Sequence, residues 1–333
     1  MFNNISILEM LCQFLTLIFV FILGTIIYHK NTNAICKSKR RLEGKTAVIV
    51  GGTKGMGLEI AMDFAHRGAK VIIACPLEEE GLHARSLILK SSRNENVFFK
   101  LLDLASLESV RRFSKEIIES ENRLDLLINN AGVGFPGDSL TDDGMNFIMQ
   151  VNYFGIFLVT ILLLPLLKRT GTPSEPSKII NTTSRMHNLV TLDLKNLNNT
   201  GNCFKIYSKS KLCILLFTYE LAKRLKGFNV VVNCVDPGIV GTGVYHSLGW
   251  CTEPIVTFIC LCVFKNQWEG AQTAIHAAIC WGTRHDNGKY FRNCRVLSKD
   301  MRIGYDDKTI EKLWEESVKC VKLKDEELSC LKN

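Results

Sequence analysis

No segment of this 333-residue chain repeats another, and no stretch is of low complexity. Solenoid and propeller architectures and long solvated tails are thereby excluded. None of its 13 cysteines belongs to a CxxC pair, which removes the common spacings of structural zinc and of dithiol redox centres. Cys260-x-Cys262 sits in an apolar run and makes a poor metal site, so no metal is expected. The formal net charge is +8, yet no nucleic-acid motif accompanies it and no nucleic-acid partner is expected. Much of that excess comes from Lys30, Lys37, Lys39, Arg40 and Arg41. A basic run beside an apolar segment suits anionic lipid.

Also missing is a short apolar core with a small-residue cleavage site, the mark of a removed signal peptide. Met10 to Tyr28 is apolar apart from Gln13 and a few small hydroxyl residues. As a helix rising ~1.5 Å per residue it would span ~28 Å, close to the ~30 Å hydrocarbon core of a bilayer. The reading is an uncleaved, single-pass anchor over residues 1–29 and a basic linker over 30–44. Positive charge stays cytoplasmic, so the remainder should face the cytosol. There the thiols stay reduced and act as apolar filler, and the sequons at Asn181 and Asn198 go unused. A lumenal face with disulfides is the rival topology.

Strand-like runs at 46–50, 70–74, 97–102, 125–129, 178–182 and 229–235 alternate with helical ones. That alternation predicts an α/β fold, a doubly wound parallel sheet with helices on both faces. Gly171 to Ser177 reads as a loop before the fifth strand. After Val50 come Gly51, Gly55 and Gly57, then a helical pattern through Ile60, Ala61, Phe64 and Ala65. Strand, glycine turn and helix is the context of dinucleotide binding: the backbone turns tightly, approaches a pyrophosphate, and offers it a helix N-terminus. The alternative is an ordinary glycine-rich connection. Further on, Tyr207 and Lys211 stand four apart, on one face of a helix. The ammonium can favour the phenolate and make the phenol an acid or base near neutral pH. A lone pair of this kind more often lines a solvated face, so its companions decide.

Those companions are Leu102-Asp103-Leu-Ala-Ser, Asn129-Asn-Ala-Gly132, Val151-Asn152, Asn181-Thr-Thr-Ser184 and Asp236-Pro-Gly238. With the glycine turn and Tyr207-xxx-Lys211 they resemble, in order, the short-chain dehydrogenase/reductase family over roughly three quarters of the chain. The phrases LASLESVRRF, DPGIVGTGVY, EGAQT and GKYF are similar to its retinol-dehydrogenase-like branch. The double glycine, Asp236-Pro-Gly and the LW-containing tail helix resemble the X-linked dehydrogenase/reductase type, a polyprenol and dolichol enzyme. The resemblance implies a Rossmann domain over 45–300, a tail helix over 301–333 and an endoplasmic reticulum membrane. It implies Tyr207 as general acid/base, with Lys211 lowering its pKa and holding the nicotinamide ribose. Ser184 would hydrogen-bond the substrate oxygen, with Thr183 as the alternative hydroxyl. Asn152 would hold a water linking Lys211 to solvent, or cap a neighbouring strand. The gap from Ser184 to Tyr207 is long for the family at large, and the retinol-dehydrogenase-like branch carries an insertion there.

For the cofactor, the resemblance implies that Gly51, Thr53, Lys54, Gly55, Met56 and Gly57 hold the phosphates and adenosine. Asp103 touches adenine, Asn130, Ala131 and Gly132 line the cofactor, and Pro237, Gly238 and Thr242 meet the nicotinamide. No acid closes the second strand, which ends at Cys75-Pro76, and Glu78 to Glu80 read as a helix start where carboxylates suit the dipole. Lys54 stands where a base would pair with a 2′-phosphate, although many relatives have arginine at the position of Pro76. NADP(H) is therefore preferred, with NAD(H) open. Val50 replaces a threonine whose side-chain bond near the Asn129-Asn-Ala-Gly turn is then lost. Pro254 to Phe264 is too short to span a membrane and reads as a membrane-dipping lid or a buried helix. The implied substrate is an alcohol or carbonyl dissolved in the bilayer, such as a retinoid, polyprenoid, steroid or fatty aldehyde. A stripe of Ile310, Leu313, Trp314, Val318 and Val321 predicts a tail helix packed on the main body. Many relatives form homodimers through helices beside the active site. The rival to an enzyme is a catalytically silent nucleotide-binding scaffold, against which the presence of Asn152, Ser184, Tyr207 and Lys211 weighs.

Overall fold

A computed structural model describes residues 7–195, 197–241, 264–298 and 301–331. Thr242 lies outside the described residues, as does all of the Pro254–Phe264 run except Phe264. The elements in order are α1 (Ile7–Thr32), β1 (Thr46–Val50), α2 (Gly55–His66), β2 (Lys70–Cys75), α3 (Glu78–Ser92), β3 (Val97–Leu101) and α4 (Leu107–Ser120). They continue as β4 (Leu126–Asn129), α5 (Phe147–Met149), α6 (Gly155–Thr170), β5 (Ser177–Thr182), α7 (Cys203–Arg224) and β6 (Val230–Asp236). The last are α8 (Gln267–Ile279), β7 (Tyr290–Arg292), β8 (Arg295–Leu297), α9 (Asp307–Cys320) and α10 (Asp325–Leu328).

The strands form one sheet in the order β3-β2-β1-β4-β5-β6-β7-β8, parallel up to β7 and antiparallel at β8. β1, β4, β5 and β6 are buried at every position, as expected of parallel strands covered on both faces. Their side chains alternate between the two faces. Ile49, Ile73 and Ile128 join α2, α3 and α8 in one core, whereas Val48, Leu127 and Ile179 join α4, α6, α7 and α9 in the other. Connections from β1 lead one way to β2 and β3, and those from β4 lead the other way. The ends of β1 and β4 therefore part, and this switch point opens a crevice at the carboxyl edge of the sheet. The six long strands match the sequence expectation to within one residue at each end. β7 and β8 escaped it, because three residues are too few to show a period.

Among the described residues, two helical segments are long and apolar enough to cross a bilayer. Phe147–Thr170 has mean hydropathy 2.1 and is 83% buried, so its apolar surface is taken up by the sheet and its neighbours. Glu9–Tyr28 has mean hydropathy 2.5 and none of it is buried. A helix apolar on all sides needs an apolar surrounding, and among the described residues none covers it.

Between α5 and α6 the helix widens for one turn at Gln150–Phe154, with i→i+5 spacing. Such a turn inserts an extra residue and re-aims its side chains. Tyr153, within it, is fully buried and its hydroxyl lies 2.6 Å from Ser317 Oγ on α9. On the same face of α9, Trp314 packs 5.1 Å from the Phe157 ring and 6.0 Å from the Phe217 ring, with Arg224 4.4 Å above it. The tail helix thus closes the core that carries α6 and α7. Trp314→Ala should destabilise the protein by about 3–5 kcal/mol through the cavity left between these rings. Chemical denaturation of the detergent-solubilised protein, followed by far-UV circular dichroism, checks this; a change under about 1 kcal/mol would mean α9 is peripheral.

Candidate active site

The glycine turn leads from β1 into α2. A Cβ on Gly51 (φ +76°) would lie 2.6 Å from the Ala131 Cα, and one on Gly57 would lie 1.9 Å from the Gly51 carbonyl oxygen. Both positions exclude any side chain, since the backbone of the turn packs against the end of β4 and against itself. Gly55 (φ +57°) instead faces open space within 4 Å. The turn is held to β4 by the Val50 carbonyl, which accepts from Asn130 N at 3.1 Å and Ala131 N at 2.8 Å. Backbone bonds thus pin the turn although Val50 has no side-chain donor. Across the crevice, the Asp236 carboxylate accepts from Gly238 N at 2.9 Å and from the Tyr290 hydroxyl at 2.8 Å, setting the Pro237-Gly238 turn (Gly238 φ +86°).

The end of β4 is tied to β5 by buried polar groups. Asn129 Nδ2 donates to Thr160 Oγ1 at 2.9 Å and to Asn181 Oδ1 at 2.7 Å, and Asn181 Nδ2 donates to Thr218 Oγ1 at 2.9 Å. Asn181 is wholly buried, so this sequon is closed to a glycan. Asn198, in the other sequon, accepts from Asn146 N at 2.8 Å.

Tyr207 and Lys211 project from α7 toward the end of β5. The Lys211 ammonium lies 5.6 Å from the Tyr207 ring centre and donates to the Thr182 carbonyl at 3.2 Å. It is 4% exposed, and burial lowers its pKa to about 8. Ser184 closes β5, half-buried, with a long 3.4 Å contact from Met186 N. The neighbouring Thr183 hydroxyl is buried and donates to the Lys211 carbonyl at 2.8 Å, so it ties β5 to α7. Asn152, set by the wide turn, accepts from Val133 N at 2.8 Å and donates to the Val133 carbonyl at 2.9 Å and to Ser210 Oγ at 3.2 Å. A Cβ on Gly132 would come 3.3 Å from Lys211 Nζ and 3.4 Å from Asn152 Oδ1, so both side chains close on the β4 turn at this glycine.

All of this borders one cleft of about 1380 Å³. Gly51, Thr53, Lys54, Gly55, Met56, Asp103, Asn130, Ala131, Gly132, Ser184, Tyr207, Lys211, Pro237 and Gly238 line it. Gly57 and Asn152 stand behind its wall, shaping the turn and the β4 loop. Asp103 uses one carboxylate oxygen to accept from Ala105 N at 2.8 Å. Beyond Tyr207 the cleft becomes apolar. Phe135 lies 5.5 Å from the Tyr207 ring and 6.1 Å from Phe204, and Phe147, Met186, Leu189 and Ile239 complete the recess. Sequence reasoning missed these residues. Phe204 alone carried a signal, since it precedes Tyr207 by three and shares its helix face. It also missed Glu80, which both starts α3 and turns back into the cleft to pair with Lys54.

Residues 45–249 match the family model of the short chain dehydrogenases. The chain belongs to this family. Retinol dehydrogenase 12 of Bos taurus is 37% identical over 311 residues, 92% of this chain and 95% of that protein. Polyprenol dehydrogenase of Danio rerio is 38% identical over 286 residues, 84% and 88% of the two chains. Among solved structures, a protein from Mycobacterium paratuberculosis superposes with a TM-score of 0.66 at 26% identity, covering 85% of this chain and 95% of that one. The RhlG/NADP active-site complex of Pseudomonas aeruginosa gives a TM-score of 0.61 at 26% identity, covering 75% and 94%. This short-chain dehydrogenase falls in the retinol-dehydrogenase-like branch, and its family is one of oxidoreductases.

The buried ammonium of this short-chain dehydrogenase has a consequence for stability. The folded pKa of Lys211 is about 8 and its ordinary value is 10.5. The unfolded chain therefore holds the proton more tightly, and the penalty of burying the charge is full below about pH 8. It is relieved as pH rises from about 8 to about 10.5. Lys178, buried in β5 and lowered to about 8 chiefly by burial, acts in the same direction. Lys211→Met removes one of these groups, so the rise in unfolding free energy from pH 7 to pH 9 should shrink by about 1 kcal/mol. Denaturation of both proteins at the two pH values measures the difference, and parallel pH dependences would place the Lys211 ammonium in water.

Proposed function

We propose that this chain is a membrane-anchored, NADP(H)-dependent oxidoreductase that interconverts a hydrophobic alcohol and its aldehyde or ketone. The observation that carries the reading is the position of Tyr207, Lys211 and Ser184, where a glycine-turn cleft meets an apolar recess. The cleft fits a nicotinamide dinucleotide. Gly55 leaves room for close approach at the N-terminus of a twelve-residue helix, and Lys54 offers a cation beside it. When bound, the nicotinamide supplies or accepts the hydride.

The chain's own residues handle the proton. Tyr207 gives a proton to the carbonyl oxygen or takes it from the alcohol. The Lys211 ammonium favours the phenolate that remains and holds the ribose edge. Ser184 donates to the substrate oxygen as negative charge develops there. Asn152 holds the β4 loop against Lys211 and orients a water on the proton route. Phe135, Phe204, Leu189 and Ile239 exclude bulk water and bind the apolar body of the substrate.

The membrane reading rests on α1 and on the path of the linker. Cys36 N donates to Gln272 Oε1 at 3.1 Å, and the Cys294 thiol donates to the Ala34 carbonyl at 3.4 Å. Arg40, further on, lies 5.5 Å from the Trp281 ring. The linker thus meets the middle of α8 first and runs toward its C-terminal end. The opposite end of α8 begins at Gln267, which lines the cleft. We place the anchor on the side of the cleft mouth, where Leu189 and Ile239 are 61% and 50% exposed. A substrate dissolved in the bilayer reaches such a mouth directly. We assign residues 1–29 to the anchor, 30–44 to the linker, 45–300 to the catalytic domain and 301–333 to the tail, with the catalytic domain on the cytosolic face of the endoplasmic reticulum.

Tyr207→Phe should lower turnover by roughly 10²–10⁴-fold while NADPH affinity stays within about threefold, because only the proton-transfer group is lost. Cofactor turnover against a panel of retinoids, polyprenoids and steroids, with a parallel NADPH titration, checks this. Unchanged turnover would sink the mechanism, and dinucleotide binding without turnover of any panel member would favour a scaffold.

A further inference from the structure

Glu80 is the third residue of α3, and its carboxylate turns back into the cleft. There it pairs with the Lys54 ammonium and accepts from the Thr53 hydroxyl. Its side chain is 18% exposed, that of Lys54 75%. Burial works to raise the Glu80 pKa, but the bonds from Lys54 and Thr53 outweigh it and hold the carboxyl below its ordinary value. The pair sits beside Cys75 and Pro76, where β2 ends. In a doubly wound sheet the end of the second strand is where the adenosine ribose is held. Among the described residues lining the cleft on the β1–β2 side, Lys54 is the one cation.

We infer that Glu80 limits the preference of this site for a phosphorylated over an unphosphorylated adenosine ribose. The inference rests on the dinucleotide reading of the cleft. A 2′-phosphate carries close to two negative charges. To pair with Lys54 it must take the ammonium from Glu80, and it then lies beside a carboxylate that repels it. A 2′-hydroxyl meets the opposite situation, since it is a donor and a carboxylate accepts. The same side chain therefore opposes NADPH and supports NADH. This chain has neither the acid that would close β2 nor a second base there to outbid Glu80, since Pro76 and Leu77 follow Cys75. Discrimination is left to the contest between Lys54 and Glu80.

The test is equilibrium binding of NADPH and NADH to the full-length, detergent-solubilised protein, read by calorimetry with no turnover involved. Glu80→Gln keeps the shape and the contact with Thr53 but removes the charge. It should tighten NADPH roughly five- to tenfold, leave NADH unchanged or weaker, and flatten the salt dependence of the difference. Lys54→Met should weaken NADPH by a similar factor and leave NADH within about twofold. Should Glu80→Gln lose its thermal transition, Lys54→Met together with wild-type binding of the 2′-phosphorylated and unphosphorylated adenosine fragments still reads the balance. An NADPH-to-NADH affinity ratio that stays within twofold of wild type in both variants would overturn the role of Glu80 alone. Binding of neither dinucleotide by the wild-type protein would overturn the reading of the cleft, and this inference with it.

Discussion

The rest of the structure depends on one close approach of backbones, where β1 and β4 part. Ala131 lies so near Gly51 that no side chain fits between them, and the Val50 carbonyl holds the amides of both Asn130 and Ala131. That contact fixes the width of the crevice at the carboxyl edge of the sheet. It lets α2 present its N-terminus on one side and β5 with α7 present Ser184, Tyr207 and Lys211 on the other. A Cβ at Gly51 would push the turn off the end of β4 and one at Gly57 would break the turn itself, and the cleft would lose its shape before any chemistry was changed.

The site is held at a cost in buried polarity. Asn129 and Asn181 face each other across neighbouring strands inside the sheet, and their amides are bridged to threonines on α6 and α7. Leaving one of these buried amide N–H groups unpartnered would cost more than one hydrogen bond contributes, so the network favours this register and helix placement. Lys211 is the extreme case. It is a buried cation whose surroundings lower its pKa, tolerated because the Thr182 carbonyl and the neighbouring turn receive it. Lys178 is lowered as far inside β5, so what distinguishes Lys211 is its position beside the Tyr207 ring in the cleft.

Apolar composition had to be divided between two kinds of burial. The helix from Phe147 to Thr170 and the N-terminal helix are nearly alike in hydropathy. One is sandwiched by the sheet, α4 and α7, and carries the wide turn that aims Asn152. The other is unburied over Glu9–Tyr28 among the described residues. The linker beyond it is stitched to α8 through Cys36, Cys294 and Arg40.

Much of the fold was legible in the residues alone. Six strands, the glycine turn, the Tyr207–Lys211 spacing and the N-terminal apolar helix all follow from short-range patterns: period two, period 3.6, and residues whose backbone freedom is unlike any other. Strands of three residues carry no such period, and β7 and β8 became strands because β6 offered a free edge to pair with. Nothing local distinguishes Thr183 from Ser184; both border the cleft, and the packing of α7 on β5 engages the Thr183 hydroxyl with the Lys211 carbonyl. Nor does a run of three glutamates at a helix start say which one turns back over the sheet. Glu80 does so because the third position of α3 lies over the end of β2, within reach of a lysine that is 26 residues earlier in the chain. Spacing along a chain determines which residues share a face. Which face meets which neighbour, and so which charges must share a partner, is decided only when the sheet brings distant segments together.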